Sequence, residues 1–173
     1  MKAEELRALQ APLKQTYRER PEAARITLRA RSRMGEGITC KVETGKGLVE
    51  AGLHPAAGGD GLSACSGDML LEALVACAGV TLEAVATAIG VELRDATVLA
   101  EGDLDFRGTL GVDREAPVGF TEIRLHFALD CDAEPEKIAS LLKLTERYCV
   151  VYQTLRAGRE IPVGYSLAGR EGP

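Results

Sequence analysis

The stretch Ser66–Ile89, which reads SGDMLLEALVACAGVTLEAVATAI, decides the fold of this chain. Beyond Asp68 its only charged residues are Glu72 and Glu83, so apolar side chains cover nearly the whole circumference of a helix built from it. The pattern predicts a helix that begins at Ser66 or Asp68 and stops at Gly90, since glycine adopts the left-handed conformation that ends many helices. A helix that is apolar on all sides belongs in the middle of a core.

A second helix is predicted after it, from Glu134 to Tyr148, with Pro135 in its first turn. Its apolar stripe has members three and four residues apart, as a helix buried on one face requires. The stripe comprises Ile138, Leu141, Leu142, Thr145 and Cys149. A short helix from Val151 to Ala157 and a final strand from Ile161 to Leu167 complete the predicted chain.

Two long strands are predicted between the helices, joined by a turn-rich stretch at residues 108–117. One apolar face comprises Val98, Ala100, Leu104 and Phe106, and the other comprises Ile123, Leu125, Phe127 and Leu129. Shorter strands are predicted at residues 25–31 and 38–44, and a Gly-rich loop at residues 53–67. We therefore expect an α+β fold with antiparallel or mixed sheets, preceded by an amphipathic helical arm at residues 1–22; residues 23–173 form the main domain.

Composition limits the function. The 173 residues carry a formal charge of −5 and are 46% hydrophobic, which is typical of a globular chain and unfavourable for a nucleic-acid partner. The opening MKAEELRALQ does not resemble a signal peptide, and no apolar run suggests a membrane span, so we expect a cytoplasmic protein. The five cysteines include no C-x-x-C pair, so the standard zinc-ribbon spacing is absent.

Two cysteines, Cys77 and Cys149, fall on the apolar faces of the two predicted helices. If these helices pack together, the two thiols could lie close enough to react. The alternative is that both cysteines act only as small hydrophobic residues in the core. The remaining candidates are weaker: Cys65 at a helix start, a position that favours a reactive thiol, and His54 in the Gly-rich loop. Packing or solvent exposure explains the others, which are Cys40, Cys131 and His126.

At these residues the sequence resembles the OsmC/Ohr family, the osmotically inducible and organic hydroperoxide resistance proteins. The resemblance covers about residues 25–168 and is carried by SGDMLLEALVACAGVTL and ERYCVVYQTL, two motifs separated by a long hairpin. It implies an intertwined homodimer in which two long buried helices pack on the sheets. It also implies a thiol peroxidase in which Cys77 attacks the peroxide and Cys149 resolves the resulting sulfenic acid.

The resemblance also implies that an arginine activates the attacking thiol and that a carboxylate orients this arginine. A thiol with a pKa near 8.5 is only about 3% ionised at pH 7, so a nearby cation would raise the reactive fraction. Arg33 is nearest to the arginine position of Ohr-type members, whereas the OsmC-type position falls in the loop around His54, which contains no arginine. The family's glutamate position falls on Gly67, and Asp68 is the nearest carboxylate.

The resemblance implies an organic hydroperoxide as substrate and a dithiol, such as a lipoyl protein, as reductant. This reaction requires no metal or organic cofactor. Two alternatives stay open. The chain could be a non-catalytic module that binds a small hydrophobic ligand, or an enzyme that exchanges thiols and disulfides without a peroxide.

Overall fold

The structure is a computed structural model. It describes residues 48–111 and 113–167 with their side chains, and the backbone of residues 31–34, 39–43 and 170–171. In the N-terminal segment it describes residues 2–5, 8, 10, 11, 15, 19 and 20, of which residues 3–5, 8, 10, 11, 15 and 19 are helical. The strand predicted at residues 25–31 lies outside these ranges except for its last residue.

The first sheet has four strands in chain order: β1 (Arg31–Met34), β2 (Thr39–Glu43), β3 (Leu48–Gly52) and β4 (Ala64–Cys65). The first three pair antiparallel, whereas β4 pairs parallel to β3. The sheet is therefore mixed, as the sequence predicted. The connection from β3 to β4 holds a single 3₁₀ turn at Pro55–Ala57.

The long helix α1 (Ser66–Ile89) follows β4 directly and ends at Gly90, whose φ of 67° is left-handed. Its predicted bounds are confirmed, and its burial within this one chain is limited to part of its circumference. One face is buried, whereas Val80 on another face is 73% exposed. The described part of the chain covers only the side that packs against the hairpin and the later helices. The buried face comprises Leu74, Ala78, Leu82, Val85 and Ala86.

By length and composition α1 could also cross a membrane, with 28% of its most apolar stretch buried inside the chain. Its contacts are nevertheless those of a core helix, because it packs against four other elements of the same chain. Leu82, Val85, Ala86, Val91 and Leu141 form the central core cluster.

A long hairpin lies against α1. Strand β5 (Asp95–Leu104) pairs antiparallel with β6 (Phe120–Asp130), and the one-turn helix α2 (Phe106–Thr109) lies in the connection. Phe106 was expected in the first strand but begins this turn, because the side chain of Asp105 accepts the N–H of Arg107 and caps it. Gly102 is required in β5, since a Cβ there would lie 2.4 Å from the ring of Phe120.

Helices α3 (Pro135–Tyr148) and α4 (Val150–Ala157) follow the hairpin, separated by the single residue Cys149. Both pack against α1. Their predicted positions are confirmed to within one residue.

The predicted last strand is mostly wrong. Only β7 (Ser166–Leu167) is a strand, paired with β8 (Arg170–Glu171). Residues 161–165 are not in a strand, and Ile161 and Val163 are 84% and 92% exposed. Pro162 lacks the N–H that a strand ladder needs, and no strand in the described part of the chain pairs with this segment.

Candidate active site

Cys149 lies at the corner between α3 and α4. Its extended backbone, with φ −72° and ψ 108°, ends one helix and starts the next. Its N–H donates to the carbonyl of Thr145 at 2.9 Å, and its carbonyl accepts the N–H of Gln153 at 3.0 Å. The side chain is 1% exposed. The thiol is therefore fixed by both helices and shielded from solvent.

Cys77 lies at the middle of α1, on the side that faces this corner. It is half-buried, and the two thiols lie within hydrogen-bonding range of each other. Both are free thiols. The structure thus brings together two cysteines that are 72 residues apart in the sequence.

The two thiols differ in acidity. Burial by itself would raise the pKa of Cys77, but the N–H of Val151, the thiol of Cys149 and the N–H of Val150 stabilise the thiolate and bring the pKa below its usual value. Burial raises the pKa of Cys149, and the neighbouring thiol of Cys77 raises it further. The N–H of Tyr152 acts in the opposite direction, but the pKa stays above its usual value. Among the described residues, the groups that lower the pKa of Cys77 most are thus the N–H groups of a helix N-terminus and a thiol, and no arginine is one of them.

Thr81 is a site residue that the sequence analysis missed. Its hydroxyl donates to the carbonyl of Cys77 at 2.7 Å, and it also lowers the pKa of the Cys77 thiol. The i to i+4 spacing of the two residues on a helix could have indicated this contact.

An apolar groove of about 580 Å³ begins beside Thr81 and runs along α1. Its walls come from α1 and α3, and Gln10 of the N-terminal segment contributes at its edge. The lining residues are Gln10, Val80, Thr81, Ala84, Val85, Ala88, Ile89, Leu144 and Tyr148. The groove therefore opens one turn of helix away from Cys77.

A second cavity of about 490 Å³ lies between β6 and the helices. Its apolar lining includes Leu74, one turn before Cys77, and its polar lining includes Glu146, Tyr152 and Arg156. The thiol pair is therefore flanked by cavities along both directions of α1.

Asp68 does not lie beside Cys77 within this chain. Their sequence separation of nine corresponds to about 14 Å along a helix and to opposite faces, at 100° a residue. Asp68 is exposed and lines a shallow depression with Val75 and Val98, on the side of α1 that faces β5.

Arg33 lies in β1, opposite Lys41 of β2. Its side chain is outside the described residues. Two strands separate β1 from β4, and β4 is the strand that leads into α1. At the usual strand spacing, β1 and β4 are about 14 Å apart.

The weaker candidates have structural roles or lie away from the thiol pair. His54 accepts the N–H of Ala56 on Nδ1 at 3.0 Å and stacks on Phe106 at 5.1 Å between ring centroids, so it caps the 3₁₀ turn. Cys65 precedes α1 by one residue, about 18 Å from Cys77 along the helix. His126 is exposed on β6, and Cys131 is half-buried just after it. Cys40 lies opposite Met34 in the first sheet, with its side chain outside the described residues.

Within the described residues, no three His, Cys, Asp or Glu side chains converge as a metal site. The arrangement instead suits nucleophilic sulfur chemistry, because a half-exposed thiolate can attack and a buried thiol beside it can form the disulfide.

Comparison with known proteins places these features in a family. A family model described as OsmC-like protein matches residues 58–164, which include both helices, the hairpin and both cysteines. No curated protein matches the sequence.

Solved structures share the fold at low sequence identity. An OsmC-like protein from Mycoplasma pneumoniae has a TM-score of 0.64 and 16% identity, over 77% of this chain and 89% of its own. An organic hydroperoxide resistance protein OsmC from Legionella pneumophila, also titled a predicted redox protein, has a TM-score of 0.60 and 17% identity, over 77% and 91% of the two chains. The organic hydroperoxide resistance protein OhrB of Bacillus subtilis has a TM-score of 0.53 and 19% identity, over 77% and 93%.

Proposed function

The chain belongs to the OsmC-like protein family, and on that basis we propose that it is a thiol peroxidase that reduces organic hydroperoxides. One observation carries the proposal: a half-exposed thiol with a lowered pKa lies beside a buried thiol with a raised pKa. Structural neighbours with the same fold are named organic hydroperoxide resistance proteins.

The reaction has two steps. The Cys77 thiolate attacks one oxygen of the peroxide ROOH, an S–O bond forms as the O–O bond breaks, and the leaving alkoxide takes a proton to give the alcohol ROH. Cys77 is then a sulfenic acid, oxidised by two electrons. The Cys149 sulfur attacks this sulfenic sulfur, and hydroxide leaves with the thiol proton as water, so a disulfide remains.

The assignment of roles rests on exposure and acidity. The attacking sulfur must be ionised and reachable, which favours Cys77. The resolving sulfur needs only to lie next to the sulfenate, which suits Cys149, 1% exposed at the α3–α4 corner. A dithiol, such as a lipoyl protein in the cytoplasm, would regenerate both thiols by disulfide exchange.

The surroundings of Cys77 favour an apolar peroxide. The groove that starts at Thr81 is walled by aliphatic side chains, and it can bury the organic part of the substrate. Val80, Tyr148 and Val150 leave apolar surface exposed near the thiols, at 73%, 60% and 69%. Hydrogen peroxide would gain nothing from this surface.

Arg33 and Asp68 complete the proposal. Arg33 would stabilise the thiolate and the departing oxygen, and Asp68 would orient that guanidinium. Within this chain Asp68 lies on the opposite face of α1 from Cys77, and two strands separate β1, which carries Arg33, from the strand that leads into α1. We therefore propose that these groups come from a second copy.

A second copy of the chain is the proposed partner. Apolar side chains on α1 and in the C-terminal segment are exposed, among them Val80, Ile161 and Val163. Exposed apolar surface of this extent marks an interaction surface. A homodimer would cover it and could supply the arginine.

The test is to mix the reduced protein with cumene hydroperoxide, follow peroxide loss by stopped flow, and map disulfides by mass spectrometry. We expect rapid consumption, a Cys77–Cys149 disulfide, no reaction in Cys77→Ser, and loss of turnover but not of the first equivalent in Cys149→Ser. Arg33→Gln should be slower than Arg31→Gln, a control two residues away on β1. Absence of consumption in the wild type, or equal rates in Cys77→Ser, would rule out the peroxidase.

The groove also supports a second candidate, a non-catalytic module that binds a small hydrophobic ligand. Native mass spectrometry of the purified protein would detect such a ligand. A retained ligand together with no peroxide consumption would favour this function. Disulfide transfer to a substrate without peroxide consumption would favour thiol–disulfide exchange.

A further inference from the structure

A single residue, Cys149, forms the corner between α3 and α4, and backbone groups at this corner act on both thiols. Helix α4 has eight residues, which is too short for a helix to be stable by itself in water. Five of its residues are exposed, and only Val151, Tyr152 and Leu155 are half-buried. Contacts outside α4 must therefore fix its direction.

Two side chains of α4 bind one residue of α3. The hydroxyl of Tyr152 donates to the Glu146 carboxylate Oε2 at 3.3 Å, and Nε2 of Gln153 donates to the Glu146 carbonyl at 2.8 Å. This carbonyl is among the last four of α3, which have no partner within their own helix. Gln153 thus satisfies the end of α3 and ties α4 to it.

The end of α3 has carbonyls without a partner in their own helix, whereas the first turn of α4 has N–H groups without one. The N–H groups of Val150 and Val151 have no carbonyl partner in their own helix, and both act on the sulfur of Cys77. Val150 and Val151 directly precede Tyr152 and Gln153 in the chain. A small rotation of α4 about Cys149 would therefore carry both N–H groups away from Cys77.

We propose that Glu146, Tyr152 and Gln153 are positioning residues, which hold the first turn of α4, with Cys149 and the N–H groups of Val150 and Val151, against Cys77. The three residues form what we call the corner clamp. They act here through side chains and a carbonyl that join α3 to α4; the one contact with a reacting sulfur is that of the Tyr152 backbone N–H with Cys149. The role of the corner clamp in catalysis rests on the proposed function, but its effect on the ionisation of Cys77 does not depend on any peroxide.

The test measures the ionisation of Cys77 in the reduced protein without peroxide. The rate of alkylation by iodoacetamide is followed from pH 5 to pH 10, and the Cys77 peptide is quantified by mass spectrometry. In Tyr152→Phe/Gln153→Leu, both clamp donors are lost. We expect alkylation of Cys77 at pH 7 to be roughly threefold to tenfold slower, since one pKa unit changes the thiolate fraction about tenfold, with an unchanged plateau at high pH.

Thr154→Val is the matched control. Its hydroxyl donates to the Val150 carbonyl at 2.8 Å within α4 and does not reach α3. This variant should keep the wild-type profile. The single variants Tyr152→Phe and Gln153→Leu provide the measurement if the double variant does not fold, as judged by circular dichroism.

An unchanged Cys77 profile in a folded clamp variant would overturn the proposal, and so would an equal shift in Thr154→Val. Failure of the proposed function has a different signature. Wild-type protein would then consume no peroxide, while the clamp-dependent change in alkylation would still be measurable.

Discussion

At the scale of single residues, Cys77 and Cys149 show how two identical side chains acquire different chemistry. Cys77 is half-buried and receives the N–H groups of a helix start, which lower its pKa. Cys149 is buried, and both its burial and the neighbouring sulfur of Cys77 raise its pKa. These N–H groups supply part of the charge stabilisation that the sequence analysis assigned to an arginine.

This difference predicts a separation of the two thiols in pH. A lowered pKa means that Cys77 becomes thiolate at lower pH than an unfolded cysteine, and a raised pKa means that Cys149 ionises later. Site-resolved alkylation of the reduced protein should therefore show Cys77 reacting first as pH rises. In guanidinium chloride, which unfolds the protein, the pH midpoints of the two thiols should converge at about 8.5.

Because the two thiols interact, each of the two observed ionisation steps reflects both cysteines. In Cys149→Ser, Cys77 should therefore titrate in a single, sharper step. Thiols that titrate together in the folded protein, or with Cys149 first, would contradict the assignment of attacking and resolving sulfurs.

At the scale of elements, α1 has distinct faces. One face carries Leu82 and Ala78 into the core, another faces the hairpin, and a third carries Cys77 and Thr81 toward the α3–α4 corner and the groove. The amino-acid pattern is apolar on all three faces. The ends of the helix were predictable from Asp68 and Gly90. The face that packs within the chain was not predictable, because all three faces are apolar.

Leu82→Ala should test the core face. Leu82 is 1% exposed within the central cluster, so its truncation leaves a cavity and should reduce the free energy of unfolding by about 2–5 kcal/mol. Urea unfolding followed by circular dichroism measures this loss. Glu83→Ala, an exposed neighbour on the same helix, should change the value by less than about 0.5 kcal/mol. Equal losses in the two variants would contradict the assignment of the core face.

At the scale of the whole molecule, one chain leaves much apolar surface uncovered. Leu62, Ile161 and Val163 are each more than four-fifths exposed, and Val80 is 73% exposed on the longest helix. Residues 161–165, most of the segment predicted as the last strand, lack a partner strand in the described part of the chain. Both features are explained if a second copy supplies the missing surface.

Light scattering after gel filtration should therefore give twice the mass of one chain. Val80→Glu combined with Ile161→Glu should shift the protein toward the monomer, because two charges would then be buried in an apolar contact. A chain truncated to begin at Ala23 tests whether the N-terminal arm is needed for that assembly. A monomer at micromolar concentration in the wild type would contradict the proposed partner.

The sequence by itself determined the main helices, the hairpin, the family resemblance and the two cysteines that matter, because these depend on local periodicity, glycine and proline positions, and short motifs. Only the tertiary structure decided that Cys77 meets Cys149 at a one-residue corner, that Val150, Val151 and Thr81 act on the thiolate, and that Asp68 faces the other side of α1. Those facts depend on how two helices, 72 residues apart at their cysteines, rotate against each other. Packing of complementary surfaces fixes that rotation, and no spacing within either helix encodes it.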